Sequence, residues 1–274
     1  VAARGGDPPV KLRVFHFGNS LTGNAMPAWH ADLGRSVGRT WENHVWLGAG
    51  WQLWMHRSQI GGGKEVFSPE ARGDLTIDPG LVKSANEHVK SFHGTTWYAI
   101  VLQLFCPHLS YTTDEHGGKK FTAKTDIGDL QSAADLIALQ VKRNPQTRVF
   151  VYQVWRPMDA GEPKDGMRGA GFPRRESFDH AARWSQEHGA DSGCARSGFP
   201  WRSRSFGDQV FEGVKAKHPD LWKTGRLRMI PGGELFLELD KRFRAKAAPG
   251  NSGIRDFYTD VQHMEHARIT PKTK

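Results

Sequence analysis

The sequence predicts an α/β protein built on a parallel sheet, and three observations carry that prediction. Short apolar runs rich in β-branched and aromatic residues recur along the chain. Segments with apolar residues at every third or fourth position lie between them. The strongest run, Trp97 to Phe105, is apolar nearly throughout instead of alternating. Alternating strand and helix patterns indicate βαβ units, and a continuously apolar strand is what a sheet covered on both faces requires.

Taken in order, Leu12 to Phe17 reads as a buried strand that ends at once in Gly18. Leu21 to Gly38 reads as a turn and a helix, with Pro27 near its start. Glu42 to Leu47 is a second strand, closed by Gly48-Ala49-Gly50. The stretch from Gly61 to Gly80 is loop-rich, and Leu81 to Phe92 has helical spacing. After the Trp97 strand, Asp126 to Arg143 places Ile127, Leu130, Ala134, Ile137 and Val141 on one helical stripe, and Pro145 follows it. Arg148 to Trp155 is the next strand, stopped by Pro157. Met158 to Arg204 is rich in Gly, Pro, Arg and Ser and reads as a surface insertion or a lid. Val210 to Lys217 is helical, Leu227 to Pro231 a short strand, and Leu235 to Phe243 a last helix.

Composition sets the outer limits. The chain has 274 residues, 38% hydrophobic and 24% charged, enough for one core without a disulfide framework. No linker divides it, so residues 11–274 read as a single domain behind a flexible segment, 1–10. That segment and the absence of an initial Met read as a processed chain, hence secreted or periplasmic. No apolar run is long enough for a membrane span. Two cysteines, Cys106 and Cys194, cannot build a cysteine-rich zinc site, and whether they pair stays open. The formal charge of +9 favours an anionic partner, but the basic residues are scattered, so nucleic acid is not expected. No cofactor is expected, and the oligomeric state is not legible.

Two segments carry residues suited to chemistry. Ser20, in Gly18-Asn19-Ser20-Leu21, follows the first strand directly. There it would meet the backbone N–H groups of a helix start, which suit a nucleophile whose transition state bears an oxyanion; a plain turn or cap serine is the alternative. Near the other end, Asp260-Val261-Gln262-His263 sets a carboxylate and an imidazole three apart, on one side of a helical turn. A serine nucleophile needs such a base, and the base needs such an orienter. The alternative is a surface pair with Asp260 as a cap. His263-Met264-Glu265-His266 has a possible metal spacing, but the triad role is preferred and no metal is expected.

In this order the two segments resemble the SGNH (GDSL-like) hydrolase superfamily, with Asn19 where the family has Asp. The resemblance implies a three-layer α/β/α sandwich of flavodoxin-like type. It implies that Ser20 attacks an ester carbonyl, that His263 takes its proton and that Asp260 holds the imidazolium. It also implies an oxyanion hole made from the Ser20 N–H, a glycine after the second strand and an asparagine after the third. Gly50 fits the glycine position better than Gly48. The asparagine is missing: Phe105-Cys106-Pro107-His108 stands there. Gln103 is the nearest side-chain amide. It either supplies the third donor or, the plainer reading, is satisfied inside the sheet.

Trp51 follows the proposed oxyanion glycine and Trp155 ends the fourth strand; their rings suit a sugar or aryl group, or the core. Arg156 suits a carboxylate or sulfate, or is a surface residue. The expected activity is ester hydrolysis, most simply of acetyl groups on a plant or algal polysaccharide, with an anionic glycan favoured by charge. The alternatives are a catalytically reduced glycan-binding protein on the same fold, or a hydrolase of sulfate, lipid or polyester substrates.

Overall fold

The computed structural model describes residues 11–19, 22, 34–48, 51–60, 85–104, 110–112, 120–122, 129–154 and 204–245. The strands are β1 (Lys11–Gly18), β2 (Thr40–Leu47), β3 (Ala99–Gln103), β4 (Ser110–Thr112), β5 (Lys120–Thr122), β6 (Arg148–Gln153) and β7 (Leu227–Pro231). The helices are α1 (Leu53–Ile60), α2 (Ala85–Gly94), α3 (Asp129–Arg143), α4 (Arg204–Lys217), α5 (Pro219–Lys223) and α6 (Gly232–Ala245). Five strands form one all-parallel sheet in the order β2-β1-β3-β6-β7, while β4 and β5 pair antiparallel on their own.

The apolar runs become strands because both faces of the sheet are covered. All five residues of β3 are buried. On one face Phe15, Phe17, Ile100, Leu102, Val149 and Val151 pack against Leu53, Phe92, Leu136, Ile137 and Val210 from α1 to α4. Phe15 meets Phe92 edge-on at 5.3 Å and Trp97 at 5.0 Å, a geometry aromatic quadrupoles favour. The alternate residues Val14, Ala99, Val101 and Tyr152 face the other way, toward Phe236 of α6. Each such buried side chain contributes about 1.5–3 kcal/mol of transfer free energy.

Helix α3 starts at Asp129 and keeps part of its predicted stripe: Ala134 and Ile137 are buried and Leu130 and Val141 half-buried, but the buried face is centred on Ala133, Leu136, Ile137 and Gln140, and Lys142 and Arg143 complement the dipole in its last turn. The predicted strand at Trp97 begins two residues later, at Ala99. The indole of Trp97 is buried and donates to the Phe92 carbonyl, 3.2 Å away, which closes the α2 end. Helix α4 starts at Arg204, not Val210. Its first turn lacks an apolar stripe and is held instead by Gln153, whose amide donates to the Arg204 carbonyl, and by an Arg204–Glu234 ion pair. Within predicted helix 21–38, Thr22 and residues 34–36 are helical; the positions between lie outside the described residues. So do residues 1–10, Cys106, Cys194 and nearly all of the predicted lid.

Strand order positions the site. From β1 the chain moves outward to β2, then crosses back over β1 to β3 and continues outward to β6 and β7. Helices α1 to α4, which fall between β2 and β7 in the chain, cover one face of the sheet, and α6 lies on the other. The direction reverses between β1 and β3, and in open parallel sheets ligands bind in the crevice beyond the strand ends at such a point. Among the described residues no helix is long and apolar enough to cross a membrane.

Candidate active site

Gly18, Gly48 and Gln103 end β1, β2 and β3 or follow directly on them, and hydrogen bonds tie these ends together. The Gly18 carbonyl accepts the Gly48 N–H at 3.1 Å and the His56 Nε2–H at 3.0 Å. Gly18 has no room for a side chain: a Cβ there would lie 1.9 Å from Thr22 Oγ1 and 2.8 Å from Gln103 Oε1. The missing Cβ lets the Asn19–Thr22 turn close onto β3, and the Thr22 N–H completes that turn on the Asn19 carbonyl at 2.9 Å.

Gln103, buried at the end of β3, organises the turn. Its Oε1 accepts the backbone N–H of Asn19 at 3.1 Å, the backbone N–H of Thr22 at 2.9 Å and the Thr22 hydroxyl. Its Nε2 donates to Asn19 Oδ1 at 2.8 Å. Asn19, fully buried, passes the connection on, since its Nδ2 donates to the Trp51 carbonyl at 3.0 Å. Trp51 in turn donates its N–H to the Gly48 carbonyl at 3.0 Å, closing the 48–51 segment. One chain of amide contacts thus joins the ends of β1, β2 and β3.

His56 sits beneath this turn, fully buried, with Trp46 and Trp51 rings each 5.0 Å from its own. Its bond to a carbonyl fixes the proton on Nε2, and Nδ1 is buried with no hydrogen-bond partner among the described residues. Burial pushes its pKa down to about 3, with the Gly18 bond opposing in part, so the imidazole is neutral. A neutral, enclosed histidine that bonds backbone is a structural support for the turn.

The sequence-predicted residues divide as follows. Gln103 lies at the crevice, and its carboxamide holds Asn19 and Thr22 of the turn after β1. Trp51 also lies there, half-buried, with its ring over Gly48 and packed on Trp46 and His56. Ser20, Gly50, Trp155, Arg156, Asp260 and His263 lie outside the described residues; Ser20 is bracketed in sequence by Asn19 and Thr22, and Gly50 by Gly48 and Trp51. The reading missed Thr22 and His56. A polar residue at the end of an otherwise apolar strand was the available signal for Gln103's task; the bond partners of His56 had none. Among the described residues, no group of three or more His, Cys, Asp or Glu could hold a metal ion.

No family model matches the chain, and no curated protein matches it significantly. Solved structures do match. One is a DUF4886 family protein from Bacteroides uniformis, at 14% identity and TM-score 0.46, over 93% of this chain and 76% of that one. A candidate GDSL-like lipase from Parabacteroides merdae matches at 8% identity and TM-score 0.43, over 96% and 92%. An acetyl xylan esterase from Butyrivibrio proteoclasticus matches at 10% identity and TM-score 0.37, over 82% and 56%. These are similarities of fold to GDSL-like and esterase proteins, and the fold of this chain is α/β with an all-parallel central sheet.

Proposed function

We propose that the chain is a serine ester hydrolase of SGNH type that removes acyl groups, most simply acetyl, from a plant or algal polysaccharide. Ser20 attacks the ester carbonyl while His263 takes its proton. His263 then returns that proton to the leaving sugar oxygen as its bond to the acyl carbon breaks, and water hydrolyses the acyl-enzyme by the same route, freeing the acid and Ser20. Asp260 orients the imidazole and stabilises its charged form. The backbone N–H groups of Ser20 and Gly50 bind the oxyanion. Trp51 and Trp155 offer ring faces to a sugar, and Arg156 a fork for an anionic substituent.

The observation that carries this reading is the place of the Gly18-Asn19 turn. It stands at the strand-end crevice where the sheet reverses direction, tied to the ends of β2 and β3. Acetate release from acetylated xylan and acetylated acidic glycans, with lipid, polyester and sulfate esters alongside, tests it. Turnover by the parent and its loss in Ser20→Ala supports the proposal. A second reading, a catalytically reduced glycan-binding protein, draws on Gln103: its amide is turned to Asn19, and no asparagine follows β3. Glycan binding without turnover, unchanged by Ser20→Ala, would favour that reading.

A further inference from the structure

We propose that Gln103 and Asn19 form a neutral carboxamide pair that positions residue 20, and that an amide rather than a carboxylate is required at both places. The inference rests on the reading of Ser20 as the nucleophile.

The polarity of the pair is set at its two ends. At one end stand two backbone N–H groups, of Asn19 and Thr22, which can only donate; Gln103 must therefore present oxygen to them. That turns the Gln103 nitrogen toward Asn19, which must answer with its own oxygen. The Asn19 nitrogen is then left for the Trp51 carbonyl, which can only accept. Each residue has to supply one acceptor side and one donor side, and only a neutral group does so. An ionised Asp at 19 would set an oxygen against the Trp51 carbonyl. An ionised Glu at 103 would set one against Asn19 Oδ1, and rotating the Asn19 amide would only move the conflict to Trp51. Asn19 and Thr22 bracket positions 20 and 21 in sequence, and the pair holds the backbone at both of these bracketing residues. Gln103 and Asn19 are positioning residues in this account, since they act through the turn and touch no reacting atom.

A protonated carboxyl presents one donor side and one acceptor side, as the amide does, so acid variants give a test that simple loss of packing would not mimic. The rate of fluorophosphonate labelling is measured for the parent, Asn19→Asp and Gln103→Glu from about pH 5.5 to about pH 8.5, a range set by the upward shift that burial imposes on a carboxyl. Burial holds His56 near a pKa of about 3 and pushes the phenol of Tyr152, the register partner of Gln103, well up, and any protonation change at His16, which bonds Asn43, or at His263 is common to parent and variants and cancels in the ratio. Each acid variant should label near the parent rate at the acid end. Its rate relative to the parent should fall by about tenfold or more as the carboxyl ionises, the scale expected for a slightly misplaced reacting group. A variant-to-parent ratio that stays near one across the range overturns the proposal, whereas a ratio low at every pH marks a carboxyl that the three donors to position 103 keep ionised throughout. Gln103→Met keeps the volume and loses every bond, and it decides the matter where the acid variants do not fold. Labelling slowed by about 10²-fold supports positioning, and labelling at the parent rate overturns it. A parent that takes no label overturns the nucleophile reading and this inference with it. A parent that labels while its variants label alike overturns the inference alone.

Discussion

Gln103 and Asn19 bond to each other twice. The glutamine oxygen accepts the asparagine backbone N–H at 3.1 Å, and the glutamine nitrogen donates to the asparagine side-chain oxygen at 2.8 Å. The two residues are 84 positions apart in sequence and face each other across the point where the sheet changes direction. The last turn of β1 is thereby held to β3 by side chain as well as by sheet.

Removing this contact should cost stability. Gln103→Leu removes the acceptor of the buried Asn19 N–H, the donor to Asn19 Oδ1 and one of the two acceptors of the Thr22 N–H, whose bond to the Asn19 carbonyl remains, and each buried polar group left unsatisfied costs about 1–3 kcal/mol. Urea unfolding should show a loss of about 2–5 kcal/mol with an unchanged slope. A loss below about 1 kcal/mol would mean that the turn is held by other contacts.

Gly48 and Trp51 should be coupled. A Cβ on Gly48 would lie 2.0 Å from the Trp51 ring. Gly48→Ala should therefore destabilise by about 1–3 kcal/mol, the usual range for overpacking. In a Trp51→Ala background the same change should be nearly neutral, giving a coupling of about 1 kcal/mol or more in a double-mutant cycle. Additive effects would contradict the packing described.

His56 makes stability depend on pH. Its folded-state pKa, about 3, lies below the ordinary histidine value of 6.5, so the unfolded chain binds the extra proton between these limits. Stability is full above about pH 6.5 and falls as pH drops toward about 3, by up to a few kcal/mol. His56→Gln keeps a donor for the Gly18 carbonyl and removes the titration. Its stability should fall less than the parent's over that window, and an identical fall would show that His56 is not the titrating group.

Much of the sheet was legible in the sequence, for a physical reason. β3 is buried along its whole length, and β1, β2 and β6 are buried over their second halves, where burial leaves short, largely apolar runs. Helices α3 and α6 bury one side and expose the other, so their stripe survives in the sequence. Helix α1 left no such record, because Leu53, Trp54, Met55 and His56 are buried in succession and no period results. The β4–β5 hairpin is too short to stand out. Within the candidate site, Gly18 and Asn19 of the motif stand at the end of β1, where the sheet reverses direction. The task of Gln103 depends on which strands become neighbours, and a single sequence does not state that order.

Ester turnover should not depend on a divalent ion. The His263 and His266 spacing is assigned to the triad and not to a metal, so dialysis against a chelator should leave acetate release unchanged. Loss on chelation with recovery on adding zinc or another divalent ion would move the chemistry to a metal-assisted mechanism.

The most direct test of the central claim is covalent labelling with a fluorophosphonate, read by intact mass on the folded chain. The account predicts one stoichiometric adduct, mapped to Ser20, absent in Ser20→Ala and lost or slowed by several orders of magnitude in His263→Ala. A folded parent that takes no adduct, under conditions that label a control serine hydrolase, would contradict it.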